Sequence, residues 1–196
     1  MGATSPPAVR RRADAERNIA AILAAALGAF GRDPDATMTN IARAAGVGRV
    51  TLYGHFGSRD VLLEATIGQV LGEMHALLDD VEGTAGSADE ALVRLAREGW
   101  QVLDRTRGLR RAALKALGEA SLRRHHARVL TRVDELVARG RNEGAVRTDL
   151  PAAWLTATYY GVIHTAADEV DAGRLDPAAA GDTIAATLRS VLAAPG

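Results

Sequence analysis

The feature that most constrains how this chain can fold is a densely punctuated block at residues 37–63. Thr37 carries a hydroxyl that can accept the free amide of Thr39 or Asn40 at the start of a helix, and Ile41, Ala42 and Ala45 follow at helical spacing. Gly46-Val47-Gly48 then makes a tight turn, residues 49–55 make a second short helix, and Ser58 caps a much longer one. Val47, Leu52 and Phe56 fall on the side that Ile41 and Ala42 occupy, whereas Arg49, Thr51, Tyr53 and His55 fall on the other. Two short helices with one shared apolar side and one outward polar side form a helix-turn-helix. The second helix of such a pair is narrow enough to enter a major groove when its outward side chains can hydrogen-bond to bases.

The rest of the chain is also written in helical periods. Ile19, Ile22, Leu23, Ala26, Leu27 and Phe30 form a stripe behind Asp14, a candidate cap, and Gly31 and Pro34 stop it. The helix after Ser58 carries Leu63, Ile67, Val70, Leu71, Met74, Leu77 and Leu78 and fades at residues 83–86. Further helices are predicted at 88–105, 109–117, 119–141, 151–172 and 177–193, with Gly108, Gly118, Gly144 and residues 173–176 as the breaks. No segment alternates as a strand does. The seven aromatic residues leave a core of Ala, Leu, Val and Ile, so the expected class is all-α: a small N-terminal three-helix unit on a larger helical body. Residues 1–13 are expected to be a flexible basic arm, residues 14–57 the helix-turn-helix unit and residues 58–196 the body.

Charge is unevenly placed although the total is zero: residues 1–60 hold eight Arg against five acids, and the remainder has an excess of acids. The N-terminal third is therefore the part expected to meet an anion. Arg10-Arg11-Arg12 before an apolar stretch mimics a twin-arginine leader, but Asp14 and Glu16 interrupt it and no cleavage boundary follows. The longest stretch free of charged or polar side chains, residues 19–31, is short of the roughly 20 residues a membrane span needs, so no membrane association is expected. The absence of Cys excludes disulfides and thiolate chemistry and fits a cytoplasmic setting. His125-His126 and the pair His164 and Asp168 lack a third ligand at a supporting spacing, so no metal or other cofactor is expected. Gly46-x-Gly48 follows no strand and lacks the third glycine of a phosphate loop. No nucleophile-base-acid set or carboxylate pair stands out on one helix face, and the chain is not expected to be an enzyme.

At the punctuated block the sequence resembles the tetracycline-repressor (TetR) family of transcription regulators. That family's signature reads Thr-x-x-x-Ile-Ala-x-x-Ala-Gly-Val, then Thr-Leu-Tyr-x-His-Phe, then Ser, a basic residue and an acid. Here these stand as Thr37, Ile41-Ala42, Ala45-Gly46-Val47, Thr51-Leu52-Tyr53, His55-Phe56 and Ser58-Arg59-Asp60. Two positions depart from it: Gly48 replaces the usual Ser cap, and Gly54 replaces a larger polar residue that often touches DNA. The resemblance implies a DNA-binding surface made of Arg10, Arg11, Arg12, Thr37, Thr39, Gly48, Arg49, Val50, Thr51, Tyr53, His55 and Arg59, with double-stranded operator DNA as partner.

The resemblance also implies a homodimer and an effector site in the body. The strip Ala153, Ala157, Gly161 and Thr165 would let a second copy approach closely, with Ile184, Leu188 and Val191 as a complementary apolar stripe. Met74, Trp100, Leu103, His126, Leu130 and Tyr159 are the expected pocket lining, suited to a small, largely hydrophobic effector oriented by His126 or a Tyr hydroxyl. The function so implied is a ligand-responsive regulator, a repressor released from its operator by the effector. An architectural DNA-binding protein without an effector, and a helical enzyme, are the competing readings. The body is far larger than dimerisation requires, which favours the first.

Overall fold

The computed structural model describes residues 7–194, with side chains from Asp14 onward, so the expected contacts of Arg10, Arg11 and Arg12 lie outside the described side chains. Eight helices make up the described chain: α1 (Pro7–Arg32), α2 (Met38–Ala44), α3 (Arg49–His55), α4 (Arg59–Gly83), α5 (Ala88–His125), α6 (Ala127–Asn142), α7 (Ala152–Asp171) and α8 (Pro177–Leu192). Helix α1 starts at Pro7 and not at a cap on Asp14, so residues 7–13, expected to be arm, are helical backbone. Pro suits a first turn, where its missing amide is not needed, and Asp14 instead pairs with Arg17 one turn on. The chain divides into two compact units, Met1–Gln69 with Gly108–Leu122, and Val70–Arg107 with Arg123–Gly196. This differs from a single cut after residue 57, because the first turns of α4 and most of the second half of α5 belong to the first unit.

In the first unit Ile22, Ala26 and Phe30 of α1, Ile41 and Ala42 of α2, Leu52 of α3 and Leu62, Leu63 and Ile67 of α4 are buried together with Leu109, Ala112 and Ala113 of α5. Gly108, expected to end a helix, lies inside one. A Cβ there would stand 2.2 Å from the carbonyl oxygen of Gly31, so its missing side chain serves close approach. Gly118 does break α5, at φ 76°, ψ 166°, as its position in the sequence predicts.

In the second unit the apolar faces of α6, α7 and α8 meet through Val133, Val137, Leu155, Tyr159, Ile184 and Leu188. Asp176 caps α8 by accepting the amide of Ala178 at 3.0 Å, with Pro177 in the first turn. Arg132 on α6 grips the acids near the end of α4, Asp79 and Glu82, at 2.7 Å each. By length and composition α4 could cross a bilayer, but Leu62, Leu63, Ile67, Leu71, Leu78 and Val81 are buried in the fold. That is the pattern of a core helix. Among the described residues the only extended pairing is one antiparallel bridge, Val146 with Ala193.

Candidate functional site

The outer surface of the first unit is set by how α2 ends. Gly46, at φ +68°, takes the left-handed conformation that lets its amide reach the Arg43 carbonyl while the Val47 amide reaches back to Ala42, at 3.2 and 3.1 Å. This pair of bonds closes the helix and turns the chain sharply. The Thr37 hydroxyl accepts the amide of Asn40 at 3.3 Å at the other end of α2. Helix α3 then starts from Gly48 without a side-chain cap. Fully buried Leu52 pins it to the unit, a burial that contributes about 1.5–3 kcal/mol.

With Leu52 turned inward, the opposite side of α3 is open. Val50 is 88% exposed and Tyr53 43%, and Arg49, Gly48 and Thr37 are exposed as well. Thr39, Thr51 and His55 are half-buried at the edge of this surface. Arg59 is different. Its guanidinium lies 5.0 Å above the Phe30 ring, its Nε donates to the Ala36 carbonyl at 3.1 Å, and its Nη2 donates to that of Pro34. Arg59 thereby braces the start of α4 against the loop after α1, because two carbonyls left bare by that loop need a donor.

The second unit holds a cavity of about 90 Å³ between α4, α5, α6 and α7. Met74, Leu103, His126, Leu130 and Tyr159 all line it; Trp100 does not. Leu95, Gly99, Val102 and Thr106 give α5 its cavity-facing stripe. Trp100 sits one residue round the helix from Gly99, is turned to α8, and donates its indole N–H to the Pro177 carbonyl at 3.2 Å. The Tyr159 hydroxyl is committed to the Leu92 carbonyl at 3.3 Å, and its burial pushes the phenol well above its ordinary pKa. Two polar side chains that the expected lining omitted, Tyr160 and His164, complete the wall. Their i, i+4 spacing on α7 was the available sign. Rings of His126 and His164 lie 5.4 Å apart and those of Tyr160 and His164 4.1 Å. No group of three metal-ligating side chains occurs among the described residues.

On the outer side of α7, Ala157, Gly161 and Thr165 border a shallow trench together with Trp154, which is 60% exposed and which the strip of small residues did not reveal. Ala153 is exposed one turn before Ala157. Of the apolar stripe expected on α8, Ile184 and Leu188 are 1% and 0% exposed within this chain, and Val191 is half-buried. Leu188 packs into the chain's own core, whereas Ile184 borders the trench together with Thr183 and Thr187.

Residues 22–66 match the family described as bacterial regulatory proteins, tetR family. Over 80 residues the chain is 38% identical to the HTH-type transcriptional repressor LfrR of Mycolicibacterium smegmatis, a match covering 41% of this chain and 42% of that relative's length. Its fold is similar to the crystal structure of the TetR-like regulator LfrR from Mycobacterium smegmatis in complex with proflavine, with a TM-score of 0.68 at 23% identity over 90% of this chain and 96% of that one. It is likewise similar to the regulator FadR from Bacillus subtilis in complex with stearoyl-CoA, with a TM-score of 0.71 at 20% identity over 87% and 97% of the two chains. The turn closed by Gly46 and the motif running from Thr37 to Asp60 lie inside the segment that matches the tetR family of bacterial regulatory proteins, and the chain as a whole shares the fold of these solved regulators.

Proposed function

We propose that this protein is a cytoplasmic transcriptional regulator that binds operator DNA as a homodimer and is released from it by a small, mostly apolar effector. The observation that carries the DNA-binding half is the open side of α3, where Arg49, Val50 and Tyr53 stand exposed on a helix whose inner side is fixed by Leu52. Arg49 supplies a donor fork for a guanine edge or a phosphate, Val50 an apolar contact for a thymine methyl group, and Tyr53 a hydroxyl for a phosphate. Thr37, Thr39, Gly48, Thr51 and His55 border the same surface. The cavity supports the effector half, and the trench on α7 supports pairing of two copies. A dimer places two recognition helices about 34 Å apart, one DNA turn, and an effector that prefers a different spacing weakens binding by its differential affinity for the two states.

Selection of bound sequences from random duplex DNA supplies the probe, and a mobility-shift titration at fixed salt supplies the test. The wild-type protein is expected to enrich a palindrome. Arg49→Ala is expected to cost about 1–3 kcal/mol and to relax preference at one position. Equal affinity of the wild type and an Arg49→Ala/Tyr53→Phe double variant for the enriched sequence would overturn the assignment. A thermal-shift screen of apolar small molecules, followed by operator release, tests the effector half.

A further inference from the structure

The residues lining the cavity in the second unit sort by depth. Val70, Leu71, Leu95, Gly99, Val102 and Val133 are among the buried ones that make its floor. Met74, Leu103 and Ile163 are half-buried at the rim, as are the rings of His126, Tyr160 and His164. Thr106 and Tyr159 are the polar side chains at floor depth. Each of their hydroxyls already donates to a carbonyl of α5, to Val102 at 2.8 Å and to Leu92 at 3.3 Å. Burial holds the Tyr159 phenol in its neutral form, so the floor carries no charge.

Met74 joins the two levels. Its side chain runs from the rim to the floor, where its Cε lies 3.0 Å, and its sulfur 3.8 Å, from where a Cβ on Gly99 would stand. Gly99 sits inside α5 at a position that no turn or positive φ requires, and glycine there weakens the helix relative to alanine. What its missing side chain makes room for is the end of Met74.

We propose, building on the effector-responsive reading above, that Met74 is a displaceable plug, and that the effector is a molecule whose compact, uncharged, one-ring apolar end takes the place of the thioether over Gly99. Size requires the displacement. A cavity of about 90 Å³ is smaller than the roughly 150 Å³ of an apolar cavity that holds benzene. Methionine is suited to yield, being unbranched with three rotatable bonds, and as a half-buried residue it has solvent to turn toward. The floor side chains around it are buried and held by packing. Chemistry sets the entering group: a charged end would lose its water against a floor with no opposite charge, a strongly unfavourable burial, whereas an apolar ring regains the contacts that the thioether gives up.

The test follows the Met74 methyl group directly. The chain has three methionines, so full-length protein labelled with carbon-13 at the methionine methyl groups gives few signals, and Met74→Leu identifies that of residue 74 by its loss. Toluene titrated into the wild type is expected to shift the Met74 signal and to leave that of Met38, in the first unit, in place. By calorimetry, Met74→Ala is expected to bind toluene at least about tenfold more tightly than the wild type does. It is expected to bind N-methylpyridinium, the cation of the same shape, at least about tenfold more weakly than toluene. Gly99→Ala added to Met74→Ala is expected to remove most of the gain, since the new Cβ stands in the vacated space. Toluene binding that leaves the Met74 signal unmoved, or equal affinity of the wild type and Met74→Ala, overturns the plug but leaves the cavity as an effector site. Equal affinity for the cation overturns the uncharged class in the same way. No binding of toluene by either protein overturns the proposal, and the effector reading is then decided separately by the thermal-shift screen and operator release.

Discussion

Replacing Gly108 by Ala, compared with replacing Gly31 by Ala, tests the packing of the first unit at its narrowest point. A Cβ on Gly108 would stand 2.2 Å from the Gly31 carbonyl oxygen and 2.6 Å from both its carbonyl carbon and Cα. Those separations are more than about 1 Å short of ordinary contact, and the obstacle is backbone, which cannot rotate away. Forcing α1 and α5 apart costs about 1–3 kcal/mol, offset by about 0.5–1 kcal/mol from replacing a helical glycine. The net loss of about 0.5–2 kcal/mol corresponds to a fall in Tm of about 1–8 °C for a chain of this size. A Cβ on Gly31 meets nothing within 4 Å, so Gly31→Ala is expected to leave Tm unchanged or raise it by up to about 4 °C. The two variants differ from wild type by the same single methyl group, so scanning fluorimetry at matched protein concentration compares them directly. A Gly108→Ala protein as stable as wild type would refute the close approach.

Arg59→Ala is expected to lower stability by about 1–3 kcal/mol in denaturant titration, because the carbonyls of Pro34 and Ala36 lose their donor; a variant that unfolds like wild type yet shows a shallower salt dependence of DNA binding would restore Arg59 as a phosphate contact. Gly161→Arg is expected to split the dimer without unfolding the chain, since a Cβ at this position meets nothing within 4 Å; light scattering at micromolar concentration checks it, and a wild-type protein that is already monomeric refutes the trench as an interface. Tyr159 keeps its proton in the folded state to higher pH than in the unfolded state. Its contribution is therefore whole below pH 10 and falls above it by about 1.4 kcal/mol per pH unit, a decline that Tyr159→Phe is expected to lack in unfolding titrations between pH 9 and 11.

What the sequence disclosed depended on how local the determining contact is. Gly46 could be read as a helix stop because the bonds that make it one join residues three and five apart. Thr37 and Ser58 were legible as caps for the same reason, and Gly118 as a break. Gly108 looks identical to them in sequence, but its reason is Gly31, 77 positions away along the chain. Arg59 sits in a linear motif that suggests an outward cation, yet its partners are carbonyls of a loop more than 20 residues earlier. Helical periodicity marked Trp100, Ile184 and Leu188 as inward-facing without telling which inside they serve: Trp100 packs toward α8, not the cavity, and Ile184 and Leu188 are buried within their own chain. Trp154 broke no pattern in the sequence, and only its 60% exposure beside a strip of small residues singles it out.

The closed state of the cavity fixes a set point. If Met74 must vacate the space over Gly99 before an effector fits, the concentration at which the protein responds equals the intrinsic dissociation constant divided by the fraction of molecules already open. An opening free energy of about 2.8 kcal/mol would raise that concentration about a hundredfold without altering one ligand contact. Sensitivity and selectivity are then written in different residues. On the proposed effector-responsive reading, the side chains lining the cavity would govern which molecule is recognised, while the fit of one flexible side chain on α4 would govern how much of it is needed. A change from Met74 to a smaller residue would retune the threshold and leave the chemistry of recognition intact.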